Sequence, residues 1–333
     1  MQKYPRMVLS AVVALLSLLL IALLLGGTPT PTEAAEGSRS IQAPALAPQA
    51  TTAEDDFESL AVGLANDPPT LDINLATDAD SALVLNQLME ALFRHRGDGS
   101  IEPAGALTYT ASADARAYTV TLRSGARWSD SQFVTAQHYV DGMLRLLDPD
   151  TGADLAFLLY PVEGAEDYNT GNITDPNQVG IAAPDAETLV FTLRESAAYF
   201  PSIMATSAVY PVRLDLIASD PDWTEAGHFV GNGPYTLAEW VHGDHLLLEK
   251  RLGYHQADDV AIEEVRFSIL DASQQLAAYQ LDQLDVSAYP DTELVRILSD
   301  PVLGDELRRT PWPGVYYLGV NTQLTPTNAI SVR

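Results

Sequence analysis

The chain has 333 residues, with 45 Asp and Glu against 18 Lys and Arg, a formal net charge of −27 and no cysteine. The lack of cysteine excludes disulfides and Cys-based zinc or redox sites. A chain this acidic, with Lys3 and Lys250 its only lysines, is repelled by nucleic-acid phosphates and anionic membrane surfaces, while a 47% hydrophobic content supplies a core for two or three domains.

Lys3 and Arg6 precede an apolar run, Met7 to Leu25, the pattern of an export signal. The run approaches bilayer-spanning length. Residues 1–25 therefore read as a signal peptide, cut after Ala34 with Thr32 at −3, or as a retained N-terminal anchor. Residues 26–57 are rich in Thr, Pro, Ala, Ser and Gln and predict a disordered tether. The working part then begins near Leu60, in the periplasm or on the outer face of the cytoplasmic membrane.

Leu60, Val62 and Leu64 alternate as a strand, which Asn66-Asp67-Pro68-Pro69 ends because proline cannot donate to a ladder. Val84, Leu85, Leu88, Met89 and Leu92 fall on one face of a helix predicted over Ala82 to Phe93, capped by Asp80 or Ser81. Arg96 to Ser100 reads as a turn. Tyr118, Val120 and Leu122 form a half-buried strand, as do Leu189, Phe191 and Leu193. A helix starts at the cap Thr135 and ends at Asp148-Pro149. Farther on, a hairpin turns at His242-Gly243-Asp244. Val265, Phe267 and Ile269 mark another strand, and a helical stretch runs through Leu276, Tyr279 and Leu284. Strands and helices are interspersed without a strict βαβ rhythm, which predicts an α/β chain with mixed sheets.

No Gly-x-Ser-x-Gly, His-Glu-x-x-His, Walker or Rossmann signature occurs. His242, His245 and Glu249 are possible metal ligands, but i and i+3 on a strand face opposite ways, so solvated hairpin polarity is the better reading. Asp148, Asp150 and Asp154 fail the calcium-loop pattern at position twelve, Leu159. Arg96-Gly97-Asp98 matches an adhesion tripeptide, though a hairpin turn explains it. Aromatic and chain-breaking residues gather where strands meet loops: Pro68-Pro69, Trp128, Gly231 to Tyr235, Trp240, Trp312 and Tyr316-Tyr317. That suits a cleft that grips a ligand by backbone and stacking, with ordinary core and turn packing as the alternative.

Several segments in the same order resemble the extracellular solute-binding proteins of oligopeptide and dipeptide ABC importers, family 5. They are "NDPPTLDINLATDADSALVLNQLMEALF", "YTVTLRSGARWSDSQFVTAQHYVDGMLRLLDPDTGAD", "VGNGPYTLAEW", "LEKRLGYH" and "LDQLDV". The chain departs from the family pattern at Ile73 (usually Pro), Ala91, Ser131 and Asp282 (usually Gly) and His138 (usually Asp). Leu155 stands where some members place a cleft tyrosine.

The resemblance implies a periplasmic-binding-protein-like II clamshell. Residues 58–89 and 212–315 would form lobe I, 90–211 an inserted side domain, and 316–333 the hinge strand and the start of a second lobe. The chain would then be C-terminally truncated, with weak or no peptide binding by itself. The resemblance further implies a non-enzymatic monomer, without cofactor or metal, that carries a peptide or other small solute to ABC permease subunits. Thr77, Asp78 and Ala79 would bind mostly through backbone, with Asp78 offering a carboxylate to a peptide's ammonium end. Tyr316, Tyr317 and Asn321 would line the hinge side. An exported hydrolase of peptides or glycans, or an anchored interaction protein, are the rival readings.

Overall fold

The computed structural model describes residues 7–9, 59–309, 321–326 and 329. A seven-stranded sheet runs, edge to edge, Leu307–Arg308, Met7–Leu9, Val286–Ser287, Ser59–Leu64, Glu264–Ile269, His245–Lys250 and Tyr235–Val241. Ser59–Leu64 lies parallel to both Glu264–Ile269 and Val286–Ser287. The expected hairpin is present, with Tyr235–Val241 and His245–Lys250 antiparallel. Val62, Leu64, Val265 and Phe267 are buried, as period-two alternation of apolar residues requires of a sheet with one face in the core.

A second sheet of four antiparallel strands runs Ala106–Ala111, Ala117–Leu122, Thr188–Thr192 and Ile181–Asp185. Its alternation buries Tyr118, Val120 and Leu122 opposite Leu189 and Phe191. The helix Ala136–Leu147 starts at Thr135, as its sequence predicts, and buries Tyr139, Val140, Met143, Leu146 and Leu147. One continuous apolar core includes residues from both sheets.

Two helices differ from the sequence expectation. The first spans Ala79–Leu88, three residues early at its start, because the Asp78 carboxylate accepts from Ser81 N. It ends before Phe93 because the Gly231-Asn232-Gly233 segment takes over its last backbone groups. Gly233 N donates to Leu88 O at 2.8 Å, and Asn232 exchanges hydrogen bonds with Glu90 N and O at 2.8 and 2.9 Å. A Cβ on Gly231 would meet Leu88 O at 2.2 Å, so glycine is required there. Phe93–His95 is instead a strand paired with Ile101–Pro103. The later helix is Ala272–Gln280 and stops short of Leu284, because Asp282 turns the chain with φ 63°. Ser131, at φ 73°, is likewise left-handed. Both positions are those where the resemblance leads one to expect glycine.

Candidate functional site at the carboxyl edge of the parallel strands

In open α/β sheets, ligands bind outside the carboxyl ends of the strands, where helix N-termini also gather. Ser59–Leu64 and Glu264–Ile269 are in register from Ser59↔Glu264 to Leu64↔Ile269, so their carboxyl ends share one edge. Two helices start beside it, Ala79–Leu88 from its cap Asp78 and Ala272–Gln280 from its cap Asp271. Asp80 fastens the first helix to this edge, accepting from Ala65 N at 3.3 Å and Asn66 Nδ2 at 2.8 Å.

Thr77, Asp78 and Ala79 stand at this edge. Thr77 is exposed and the other two are half-buried. Among the described residues the Thr77 backbone makes no hydrogen bond, leaving a main-chain donor and acceptor open. The Asp78 side chain has a structural partner of its own. Its two oxygens accept from Ser81 N at 2.8 Å and Ser81 Oγ at 2.6 Å, so the carboxylate is engaged as a helix cap. Asn321 is exposed, with its Oδ1 accepting from Gln323 N at 2.9 Å. Trp312, Tyr316 and Tyr317 lie outside the described residues.

The approach to Thr77 is bolted to the Ala136–Leu147 helix. Arg145 donates from Nη1 and Nη2 to the two Asp72 oxygens at 2.7 and 2.6 Å, and from Nη1 to Asn74 Oδ1 at 2.7 Å. Asn74 Nδ2 donates to Gly142 O at 3.2 Å. Asp72 and Asn74 are both buried. Sequence reading missed this set. Its one signal is an arginine close to the apolar face of the Ala136–Leu147 helix.

A second tie joins the edge to the hairpin. Asp67 accepts from Trp240 Nε1 at 2.8 Å and Gly243 N at 3.0 Å, and it meets His242 Nδ1 at 3.1 Å. His242 Nε2 meets Glu225 at 3.2 Å. Burial is the largest single influence on His242 and lowers its pKa, but Asp67 and Glu225 together outweigh it and the net shift is upward. His245 is buried against Asp244 and Glu239, while Glu249 is exposed. The three metal-ligand candidates thus have separate surroundings, and among the described residues no group of three or more His, Cys, Asp or Glu could hold a metal ion.

Other motifs resolve as structure. Trp128 is 1% exposed, a core residue rather than a cleft wall, with Nε1 donating to His138 Nδ1 at 3.3 Å. The Arg96-Gly97-Asp98 turn is closed by Gly99 N to Arg96 O at 3.0 Å, and Asp98 Oδ1 accepts from Ser100. At the far end of the Ala79–Leu88 helix, about 15 Å from Asp78, a cavity of about 240 Å³ is lined by Asn86, Glu90, Arg94, His95, Tyr210 and Tyr254, among others. Tyr254 donates to Glu90 there, and burial and then the Glu90 charge push the phenol upward.

Residues 100–333 match the family model described as bacterial extracellular solute-binding proteins, family 5 Middle. The chain is 34% identical over 270 residues to the dipeptide-binding protein DppE of Bacillus subtilis, covering 80% of this chain and 49% of that protein. It is 32% identical over 274 residues to the periplasmic murein peptide-binding protein MppA of Escherichia coli, covering 80% and 50%. The solved structure of the Escherichia coli murein tripeptide binding protein MppA superposes with a TM-score of 0.72 at 28% identity, over 75% of this chain and 50% of that one. Haemophilus influenzae OppA in complex with RPPGFSPFR gives 0.70 at 25%, over 74% and 49%. The chain spans about half the length of these relatives. The likeness bears out the expected α/β architecture of the periplasmic-binding-protein-like II type.

Proposed function

Because the chain belongs to the bacterial extracellular solute-binding proteins of family 5, we propose that it is the extracytoplasmic substrate-binding component, or a large part of one, of an ABC importer for peptides. The observation that carries this is the exposed Thr77 backbone at the carboxyl edge, open in both donor and acceptor and flanked by side chains already engaged internally. An extended peptide can add to such a segment as a strand does, through main-chain hydrogen bonds that accept many sequences. Tyr316, Tyr317 and Asn321 would face the ligand from the hinge side. Residues 58–89 and 212–315 act as one lobe, with 90–211 as its inserted side domain. The two sheets support that division, since 106–192 hold the four-stranded sheet. Delivery to membrane permease subunits completes the reading, which assigns the chain no catalytic step.

The test is an amide chemical-shift titration of the full chain with a panel of tripeptides. Shifts concentrated at Thr77, Asp78 and Ala79 are expected. Saturable peptide binding that leaves these amides unmoved, or turnover of the peptides, would refute the proposal.

A further inference from the structure

We infer that Arg145 is a positioning residue for the ligand edge, so that the inserted segment sets, through one guanidinium, the backbone that meets the peptide. The inference rests on the reading of Thr77–Ala79 as that edge. Leu75 and Thr77 are exposed residues on a short crossing between two anchors. The downstream anchor is local: Asp78 on Ser81, and Asp80 on Ala65 and Asn66. The upstream anchor is not.

Asp72 organises the whole turn before Thr77. Its Oδ1 accepts from Asn74 N at 3.0 Å, and its carbonyl accepts from Leu75 N at 3.0 Å and Ala76 N at 2.8 Å. Arg145 in turn fixes Asp72, by a two-pronged pair, and fixes Asn74 with the same guanidinium. Asn74 is then held a second time by the Gly142 carbonyl of the same helix. Burial of Leu71, Ile73 and Ala76 presses this turn onto the core, but apolar contact has no direction. The planar fork does have direction, which is the reason for arginine rather than lysine. Asp72 and Asn74 are 6% and 1% exposed, and a buried carboxylate stripped of its charged partner is costly to leave in place. Two residues separate Asn74 from Thr77, so the three Cα steps span at most roughly 11 Å of chain, and displacement of the turn passes directly to the edge.

The experiment measures backbone order parameters by ¹⁵N relaxation over residues 74–78 in the full chain, in Arg145→Met, Arg145→Lys and Asn74→Ala. Arg213→Met serves as the control, because Arg213 is buried and its ion pairs go to Asp130 and Asp215 rather than to Asp72. Order parameters of about 0.85 are expected in the parent chain and below about 0.6 in Arg145→Met, with Arg145→Lys between them. Arg213→Met should leave residues 74–78 rigid. A rigid 74–78 segment in Arg145→Met, or equal loosening in Arg213→Met, overturns the inference. If Arg145→Met does not fold, Asn74→Ala decides: it severs the Asn74 bonds and leaves the ion pair, and unchanged order at Thr77 overturns the inference. The tripeptide titration separates the two readings. A parent chain that binds peptide with the 77–79 amides unmoved refutes the ligand edge, whereas a responsive parent and an unchanged Arg145→Met refute the positioning role.

Discussion

In the four-stranded sheet, Ala106–Ala111 pairs with Ala117–Leu122 across a short turn, whereas in the seven-stranded sheet Ser59–Leu64 pairs with Glu264–Ile269 from the far end of the described chain. The first sheet is two local hairpins, Ala106–Ala111 with Ala117–Leu122 and Ile181–Asp185 with Thr188–Thr192, joined by one long-range pairing of Ala117–Leu122 with Thr188–Thr192. The second is assembled from distant pieces, which must find one another before any ladder rewards the loop closure. Its candidate edge is tied by specific polar contacts, Asp80 to Asn66, Asp67 to Trp240 and Asp72 to Arg145. Apolar packing carries the four-stranded sheet, and polar fasteners carry the candidate site.

The largest expected effect tests the packing half of that contrast. Phe191 is fully buried between strands, with its ring 5.1 Å from Phe200. Phe191→Ala should lower stability by about 4 kcal/mol in urea unfolding. A loss under about 1 kcal/mol would mean that the four-stranded sheet does not depend on its apolar face. The matching test of a fastener is smaller. Asp285 Oδ2 accepts from Ala61 N at 2.9 Å and its own N donates to Ala61 O at 2.8 Å, linking Ser59–Leu64 to the approach of Val286–Ser287. Asp285→Ala should cost about 1 kcal/mol, the usual worth of one such bond.

What was legible in the sequence follows the same division. Tyr118, Val120 and Leu122 announce their strand because one face is core and the other is not, and Thr135 announces its helix by chemistry within one turn. The start of the Ala79–Leu88 helix was misplaced because Asp78 and Asp80 are equally good caps by type. Only the structure shows Asp80 committed to Asn66 and Asp78 to Ser81. Its end was misplaced because Asn232, far along the chain, takes the Glu90 backbone. The resemblance pointed to Thr77, Asp78 and Ala79, yet the fate of the Asp78 carboxylate depends on a partner that no residue pattern names. Arg145 was invisible for the same reason: its meaning lies in Asp72, 73 residues earlier in the chain.

Ser131 and Asp282 sharpen the comparison at smaller scale, one in each region. Both are non-glycine residues at left-handed φ, a conformation that burdens any side chain. Ser131→Gly and Asp282→Gly should each raise stability by about 0.5 kcal/mol, the relief of strain being partly offset by the greater freedom of glycine in the unfolded chain. Thermal melts of the two single variants and the double check both the sign and the additivity expected of separated sites.

The weakest effect separates the regions by sign. His138, in the Ala136–Leu147 helix, has its pKa lowered, first by burial and then by the Arg213 charge. Its Nδ1 accepts from both Thr135 N, at 3.1 Å, and Trp128 Nε1, so the neutral ring with a bare Nδ1 is the form that fits. A folded pKa below the unfolded histidine value of about 6.5 means stability is intact above that pH and falls as the unfolded chain takes up the proton first. His242, on the hairpin, is the reverse. Its raised pKa gives a contribution present below about pH 6.5 and lost as pH rises through the folded value. Because its ring is 56% exposed, that contribution is well under 1 kcal/mol. Local hydrogen exchange followed from pH 7.5 to 5.5 should therefore show the Ala136–Leu147 amides loosening while those around Gly243 tighten. His138→Gln should remove the first trend alone and His242→Gln the second alone. Trends of one sign in both regions would mean that the two sheets answer to protons as one body, and that their division into packed and fastened parts does not extend to their electrostatics.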